Sequence, residues 1–97
     1  MTPVSPATTL RHDRNTLDLR GQRYYEAEAL LERFLDDACR ERMANIFIIH
    51  GHGTGALKQM VREQVASSPY VSSFRPGAQG EGGDGVTVAM LKDLSFG

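Results

Sequence analysis

A strand-like run that leads directly into a glycine-rich turn and then a helix is the feature that most constrains the fold. Ile46–Ile49 is continuously β-branched or aromatic, which is typical of a strand buried on both faces. His50–Gly55, called the glycine turn below, has glycine at every second position. Apolar residues then recur at helical spacing from Ala56 to Ala66. The order of strand, turn and helix predicts an α/β unit.

The remaining periodicity completes a βαβαββ order. Four further segments have the pattern of regular structure, namely a strand at Thr16–Leu19, a helix from Tyr24 to Ala38, and strands at Tyr70–Arg75 and Val86–Lys92. Pro76–Gly85, called the glycine loop below, holds five glycines and is predicted to be long and mobile. Parallel strands joined by helices, followed by an antiparallel hairpin, predict an α/β two-layer sandwich with a four-stranded mixed sheet and two helices.

The same periodicity predicts the roles of individual side chains. Leu30 belongs to the apolar stripe of the first helix and is expected to face the core. Val71 and Phe74 are expected to anchor the third strand, and Thr54 is a suitable N-cap for the second helix. These assignments depend on regular helix and strand geometry.

The 97 residues are enough for one domain and too few for two cores. Residues 1–15 lack apolar periodicity and are predicted to be a flexible arm or the end of a linker, with the domain at 16–97. The single cysteine excludes an internal disulfide. Since there is neither a secretory signal nor an apolar run long enough for a bilayer, we expect a cytoplasmic protein without a membrane partner.

The net charge of −1 argues against a strongly cationic nucleic-acid binder. The charge is unevenly distributed, because the segment from Tyr24 to Arg42 contains six acidic and three basic residues. The rest of the chain therefore carries +2. A mildly basic surface away from the first helix is compatible with contact to phosphate, although it does not require it.

The glycine turn favours an anion as its ligand. Glycines at 51, 53 and 55 leave backbone amides bare at the positive end of a helix dipole, whereas a turn alone would need fewer of them. Gly51, Gly53 and Ala56 satisfy a dinucleotide-binding pattern only formally, since no acidic residue follows at the required distance. The sequence after Gly55 also breaks the Walker phosphate-loop pattern of nucleoside triphosphatases, which needs Gly-Lys-Ser or Gly-Lys-Thr. A nucleotide cofactor is not expected.

Asp18, Arg20 and His50 are predicted to converge, because parallel strands end at the same edge of a sheet. Asp18 alone is equally well explained as the exposed face of an edge strand. His50 and His52 have spacing that is weak evidence for a metal, so no permanent site is predicted. A transient Mg²⁺ or Mn²⁺ held by Asp18 and a substrate phosphate stays open.

Three segments together resemble the Smr (small MutS-related) domain, found at the C-terminus of second-class bacterial MutS-like proteins. They are Leu17–Gly21 (LDLRG), His50–Lys58 (HGHGTGALK) and Gly82–Val88 (GGDGVTV). The resemblance covers Thr16 to Leu94 and implies a fold like the C-terminal domain of translation initiation factor three. It further implies nucleic-acid binding, often with endonuclease activity, and fusion to ATPase and clamp regions in MutS-like relatives. The family often has Lys at position 52 and Arg at position 58, so His52 and Lys58 are departures.

On this resemblance and the anion argument, we expect hydrolysis of a phosphodiester in DNA with low sequence specificity. The expected partner is DNA (branched or nicked) or ribosomal RNA. His50 is the predicted general acid or base, and Asp18 is predicted to orient it or to recruit a metal. The residues predicted to bind phosphate are Arg20, Gly51, His52, Gly53, Thr54, Gly55 and Lys58. Two alternatives are a binding module without catalysis and a protein adaptor that uses the acidic helix or the glycine loop.

Overall fold

The computed structural model describes residues 12–92, and its regular elements follow the predicted order. They are β1 (Thr16–Asp18), α1 (Tyr24–Arg40), β2 (Asn45–Ile49), α2 (Ala56–Ser67), β3 (Val71–Pro76) and β4 (Val86–Leu91). Short 3-10 turns precede β1 and β4, at Asp13–Asn15 and Gly83–Gly85. The predicted class, a mixed four-stranded sheet with two helices, is confirmed. Within the described part of the chain, neither helix has both the length and the apolar character needed to cross a membrane.

The sheet has the strand order β1-β2-β4-β3. β1 runs parallel to β2, while β4 is antiparallel to both β2 and β3. Asp18 lies opposite Ile49 in one pair, and Ile49 lies opposite Val86 in the next. The segments that follow β1 and β2 and the segment that precedes β4 therefore meet at one edge of the sheet.

The main core lies between the sheet and the two helices. Its fully buried side chains include Leu31 of α1, Ile46 and Ile48 of β2, and Val61 of α2. A second, smaller cluster is formed by Phe47, Val86 and Val88. Since Ile46, Phe47 and Ile48 are all buried, β2 is buried on both faces, as its composition predicted.

Two predicted core residues are exposed. Leu30 is 40% exposed, because the buried stripe of α1 runs through Ala27, Leu31 and Leu35 and leaves Leu30 at its margin. Phe74 is 37% exposed, whereas Val71 is buried as predicted. A β-bulge brings both residues of β3 opposite core-facing residues of β4, but β3 is an edge strand and Phe74 is only partly covered.

The ordered structure begins before Thr16. Asn15 is buried, its side-chain oxygen accepts a hydrogen bond from the His12 amide at 2.8 Å, and its own amide donates to the His12 carbonyl. The 3-10 turn at Asp13–Asn15 thus packs onto the domain, while the flexible arm stays a prediction because residues 1–11 lie outside the described part. The mobility of the glycine loop stays a prediction, but the loop contains a defined turn in which Arg75 binds Glu81 through two hydrogen bonds.

Candidate nucleic-acid interface

A concavity of about 400 Å³ lies at the sheet edge where β1 and β2 end. It is lined by Arg20 and Gly21 from the loop after β1, by the whole glycine turn, and by Leu57 and Lys58 from the first turn of α2. Arg20 and His50, which lie on separate segments of the chain, thus line the same concavity after two parallel strands, and Lys58 of α2 lines it with them. Asp18 does not line this concavity, but its carboxylate binds Arg20, which does.

The backbone of Gly51 is committed to the fold. Its amide donates to the Gly85 carbonyl at 2.9 Å, as does the His50 amide at 3.1 Å. Gly51 has φ +79°, and a Cβ there would lie 3.3 Å from Cγ of Arg20, so a larger residue would be strained and crowded. The Gly51 amide thus ties the glycine turn to the segment before β4, and phosphate binding at Gly51 stays a prediction.

Other amides of the glycine turn are open. The amides of Gly53, Gly55 and Leu57 have no protein acceptor among residues 12–92. The N-cap of α2 is Gly55, with φ +87°, rather than Thr54 as predicted. The Thr54 hydroxyl contributes only a long bond of 3.4 Å from the Ala56 amide. Unpaired amides at the positive end of a helix form an anion-binding surface.

His50 is buried, with only 5% of its surface exposed. Nδ1 lies 3.0 Å from the Gly51 carbonyl, which can only accept, so Nδ1 carries the proton. Nε2 lies 2.9 Å from the Thr87 hydroxyl, which then donates to it. Burial lowers the pKa of His50, and the charges of Arg62 and Lys58 lower it further against the opposing effect of the Gly51 bond. His50 is therefore a neutral imidazole near neutral pH.

The carboxylate of Asp18 orients Arg20. It accepts two bonds from the guanidinium, at 3.0 Å from Nε and 2.7 Å from Nη2, and a third from the Arg20 amide at 3.0 Å. The ring of His50 is oriented instead by Gly51 and Thr87. The catalytic assignment of Asp18 and His50 stays a prediction, with each residue in a different local network.

Three residues beside the concavity were not predicted from the sequence as site residues. Asp84 accepts hydrogen bonds from Lys58 and Arg62, and both cations lower its pKa to about 2. Thr87 is fully buried against His50. Asp84 and Thr87 both lie within the Gly82–Val88 segment, which the sequence analysis used only as evidence for the family resemblance. Arg62 could have been found from the sequence, because it lies four residues after Lys58 in a predicted helix and therefore on the same side of it.

His52 is exposed at the rim of the concavity. Its ring lies against Gly85, where a Cβ would come within 2.9 Å of Nε2, so glycine at 85 allows the close approach. Among the described residues, no group of three or more His, Cys, Asp or Glu side chains could hold a metal ion. A transient Mg²⁺ or Mn²⁺ would therefore need oxygen ligands from the substrate as well as from Asp18.

The chain matches the family model described as Smr domain over residues 17–92. It is 51% identical over 76 residues to a protein named Endonuclease MutS2 from Anaeromyxobacter sp. (strain Fw109-5), covering 78% of this chain and 9% of that protein. It is 46% identical over 93 residues to Endonuclease MutS2 from Geobacillus thermodenitrificans, covering 92% of this chain and 12% of the relative. The chain thus spans about a tenth of the length of these relatives.

Solved structures agree with the sequence match. The Smr domain of Thermus thermophilus MutS2 superposes with a TM-score of 0.78 at 38% identity, covering 80% of this chain and 98% of that one. YdaL, a stand-alone small MutS-related protein from Escherichia coli, superposes with a TM-score of 0.80. That comparison covers 84% of this chain and 66% of YdaL, and at 21% identity it concerns the fold alone.

Proposed function

The chain belongs to the Smr domain family, and on that basis we propose that it binds nucleic acid at the glycine turn and nicks it by hydrolysing a phosphodiester bond. The observation that carries the proposal is the convergence of Arg20, Lys58 and the open amides of Gly53 and Gly55 on one concavity. The similarity to proteins named MutS2 endonuclease supports the reaction class. DNA with low sequence specificity is the proposed substrate.

Phosphate binding is the better supported half of the proposal. Positive side chains and backbone amides that point at one anion stabilise the extra negative charge that develops on the phosphoryl oxygens during hydrolysis. Arg20 retains guanidinium N–H groups beyond the two that bind Asp18, so it can hold a phosphate while Asp18 fixes its orientation. We assign His52 and Thr54 to the rim of the same phosphate site, since both side chains are exposed there.

Hydrolysis requires a water oxygen to attack phosphorus, a base to take the water proton, and a proton for the departing ester oxygen. His50 is the proposed base, because a neutral ring with a protonated Nδ1 offers a lone pair only at Nε2. That lone pair faces Thr87 in the free protein, so the Thr87 bond must open before His50 can act. His52, which is exposed at the rim of the concavity, is the residue proposed to donate the second proton. A transient Mg²⁺ or Mn²⁺ on Asp18 would supply further charge stabilisation.

A supercoiled-plasmid nicking assay at low salt tests this proposal, with Mg²⁺, with Mn²⁺ and with chelator. Wild type should convert the plasmid to open circles, His50→Ala should abolish conversion, and Lys58→Gln should weaken it. Arg40→Gln, which alters an exposed arginine on α1, is the matched control and should cleave normally. Full cleavage by His50→Ala, or by Asp18→Asn, would refute the role given to that residue.

A binding module without catalysis is the second candidate, and the buried ring of His50 favours it. With both nitrogens bonded inside the fold, His50 has no free lone pair to activate water in this conformation. This alternative expects binding to DNA or ribosomal RNA that weakens as salt rises, with no strand scission under any metal condition. Absence of binding even at low salt would refute both the nuclease and the non-catalytic binding module.

A further inference from the structure

We propose that Lys58 and Arg62 form a second phosphate subsite, in which the Asp84 carboxylate takes the place of a nucleic-acid phosphate until nucleic acid binds. The inference rests on the proposed nucleic-acid binding and extends it to a particular path along α2. It also assigns Arg62 to the interface and gives Asp84 the role of an exchangeable internal anion.

The geometry around Asp84 is that of a bridged anion. Nζ of Lys58 lies 2.5 Å from Oδ2, and Nη2 of Arg62 lies 3.0 Å from Oδ1, so each cation binds a different oxygen. Lys58 and Arg62 are one helical turn apart and therefore project from the same side of α2. Two oxygens of a phosphodiester would bind the two cations in the same manner.

Asp84 is the outer member of this cluster. Its side chain is 54% exposed, whereas those of Lys58 and Arg62 are 30% and 28% exposed. An incoming phosphate can therefore approach the cations as the carboxylate moves outward. With its pKa held to about 2, Asp84 stays ionised at neutral pH, so the exchange is between two anions and needs no protonation step.

The surface beside α2 continues the glycine-turn concavity. A shallow depression of about 730 Å³ runs along α2 and is lined by Lys58 and Arg62. It shares Thr54, Gly55 and Lys58 with the glycine-turn concavity. A nucleic-acid strand with one phosphate at the glycine turn can thus extend its next phosphate toward Arg62.

Binding of a fluorescently labelled DNA duplex, followed by anisotropy over a salt series, tests the subsite. Asp84→Asn should tighten binding by about 2- to 30-fold, the gain expected when one or two exposed ion pairs no longer compete with phosphate. The matched control is Asp36→Asn, which also removes one negative charge from an exposed ion pair, with Arg40 on α1. It should change affinity by less than about 2-fold, because distant exposed charges are screened.

Arg62→Gln separates local from general charge effects. Arg62→Gln alone should bind more weakly than wild type. Adding Asp84→Asn to Arg62→Gln should raise the affinity much less than adding Asp84→Asn to wild type does. Equal affinities for Asp84→Asn and Asp36→Asn would overturn the subsite, as would a gain that survives intact in the double variant. Circular dichroism of each variant establishes that it is folded, and Lys58→Gln in place of Arg62→Gln provides a second route if one variant does not fold.

The two proposals fail in different ways. Salt-dependent binding by wild type, with no effect of Asp84→Asn beyond its control, overturns the subsite and leaves the proposed function intact. Absence of binding by wild type and by Asp84→Asn alike overturns both. As an independent readout, the Nε–H signal of Arg62 in nitrogen-15 NMR should shift during titration with a thymidine tetranucleotide, and an unchanged signal at saturation would contradict the subsite.

Discussion

Replacing Thr87 by valine removes a buried hydroxyl that bonds His50 and, at a longer distance, Arg62. Thr87 is fully buried in β4, and its hydroxyl is the partner of Nε2 of His50 at 2.9 Å. Valine has nearly the same shape and the same preference for strands, so the substitution creates no cavity and does not disturb β4. What changes chiefly is that Nε2 of the buried His50 loses its donor, while Nε of Arg62 loses a long bond of 3.4 Å.

The expected cost follows from that loss. A buried acceptor left without a donor destabilises a protein by about 1–3 kcal/mol. For a domain of 97 residues, each kcal/mol lowers the melting temperature by about 4–8 °C, so Thr87→Val should melt roughly 5–20 °C below wild type. Thr87→Ser keeps the hydroxyl and removes one methyl group, which costs about 1 kcal/mol.

Thermal and urea unfolding followed by circular dichroism at pH 7 measure this effect. The predicted order of stability is wild type, then Thr87→Ser, then Thr87→Val, whereas hydrophobicity alone would rank valine first. If Thr87→Val proves as stable as wild type, Nε2 does not depend on Thr87 and the tautomer assigned to His50 is wrong. Nitrogen-15 shifts of the His50 ring give a direct check, since a protonated Nδ1 and an unprotonated Nε2 are expected in wild type.

Two further predictions concern pH. Because burial lowers the pKa of His50, the unfolded chain takes up this proton first as pH falls, so the free energy of unfolding should decline from about pH 6.5 downward. His50→Gln should remove that part of the decline in urea titrations, and an unchanged slope would contradict it. The pKa of Glu81 is lowered to about 2, chiefly by Arg75, so its contribution should be full above about pH 4.5 and be lost as pH approaches 2. Glu81→Gln should cost about 1 kcal/mol at pH 7 after allowance for partial exposure, while the control Glu28→Gln on exposed α1 should cost close to nothing.

Local pattern was enough to predict the order of elements and much of the core. The β-branched run of β2 and the apolar stripe of α1 are signals contained within single segments, and parallel pairing brought Arg20 and His50 to one edge without further information. Leu30 and Phe74 were misplaced because their burial depends on how far a helix covers the sheet and on which strand lies at the edge. Neither property is encoded in local periodicity.

The hydrogen bonds and ion pairs within the candidate site were harder to predict. Thr87, Gly85 and Asp84 meet the glycine turn and α2 only because β4 pairs with β2 in a particular register. That register comes from the tertiary fold, so sequence spacing could not reveal that Gly51 donates to Gly85 or that His50 is buried against Thr87. The Asp18–Arg20 pair, by contrast, is two residues apart in sequence and was within reach of a local argument.

On the proposed function, the distribution of ion pairs explains how a chain with net charge −1 can bind a polyanion. In the free protein Arg20 is paired with Asp18, and Lys58 and Arg62 share Asp84, so two carboxylates offset most of the positive charge of the three cations. Binding a phosphate then exchanges one anion for another instead of neutralising bare cations. The net gain per contact is smaller than for unpaired lysines, because each ion pair that opens offsets part of the new interaction. Affinity would be modest, and strongest where several phosphates displace both carboxylates together.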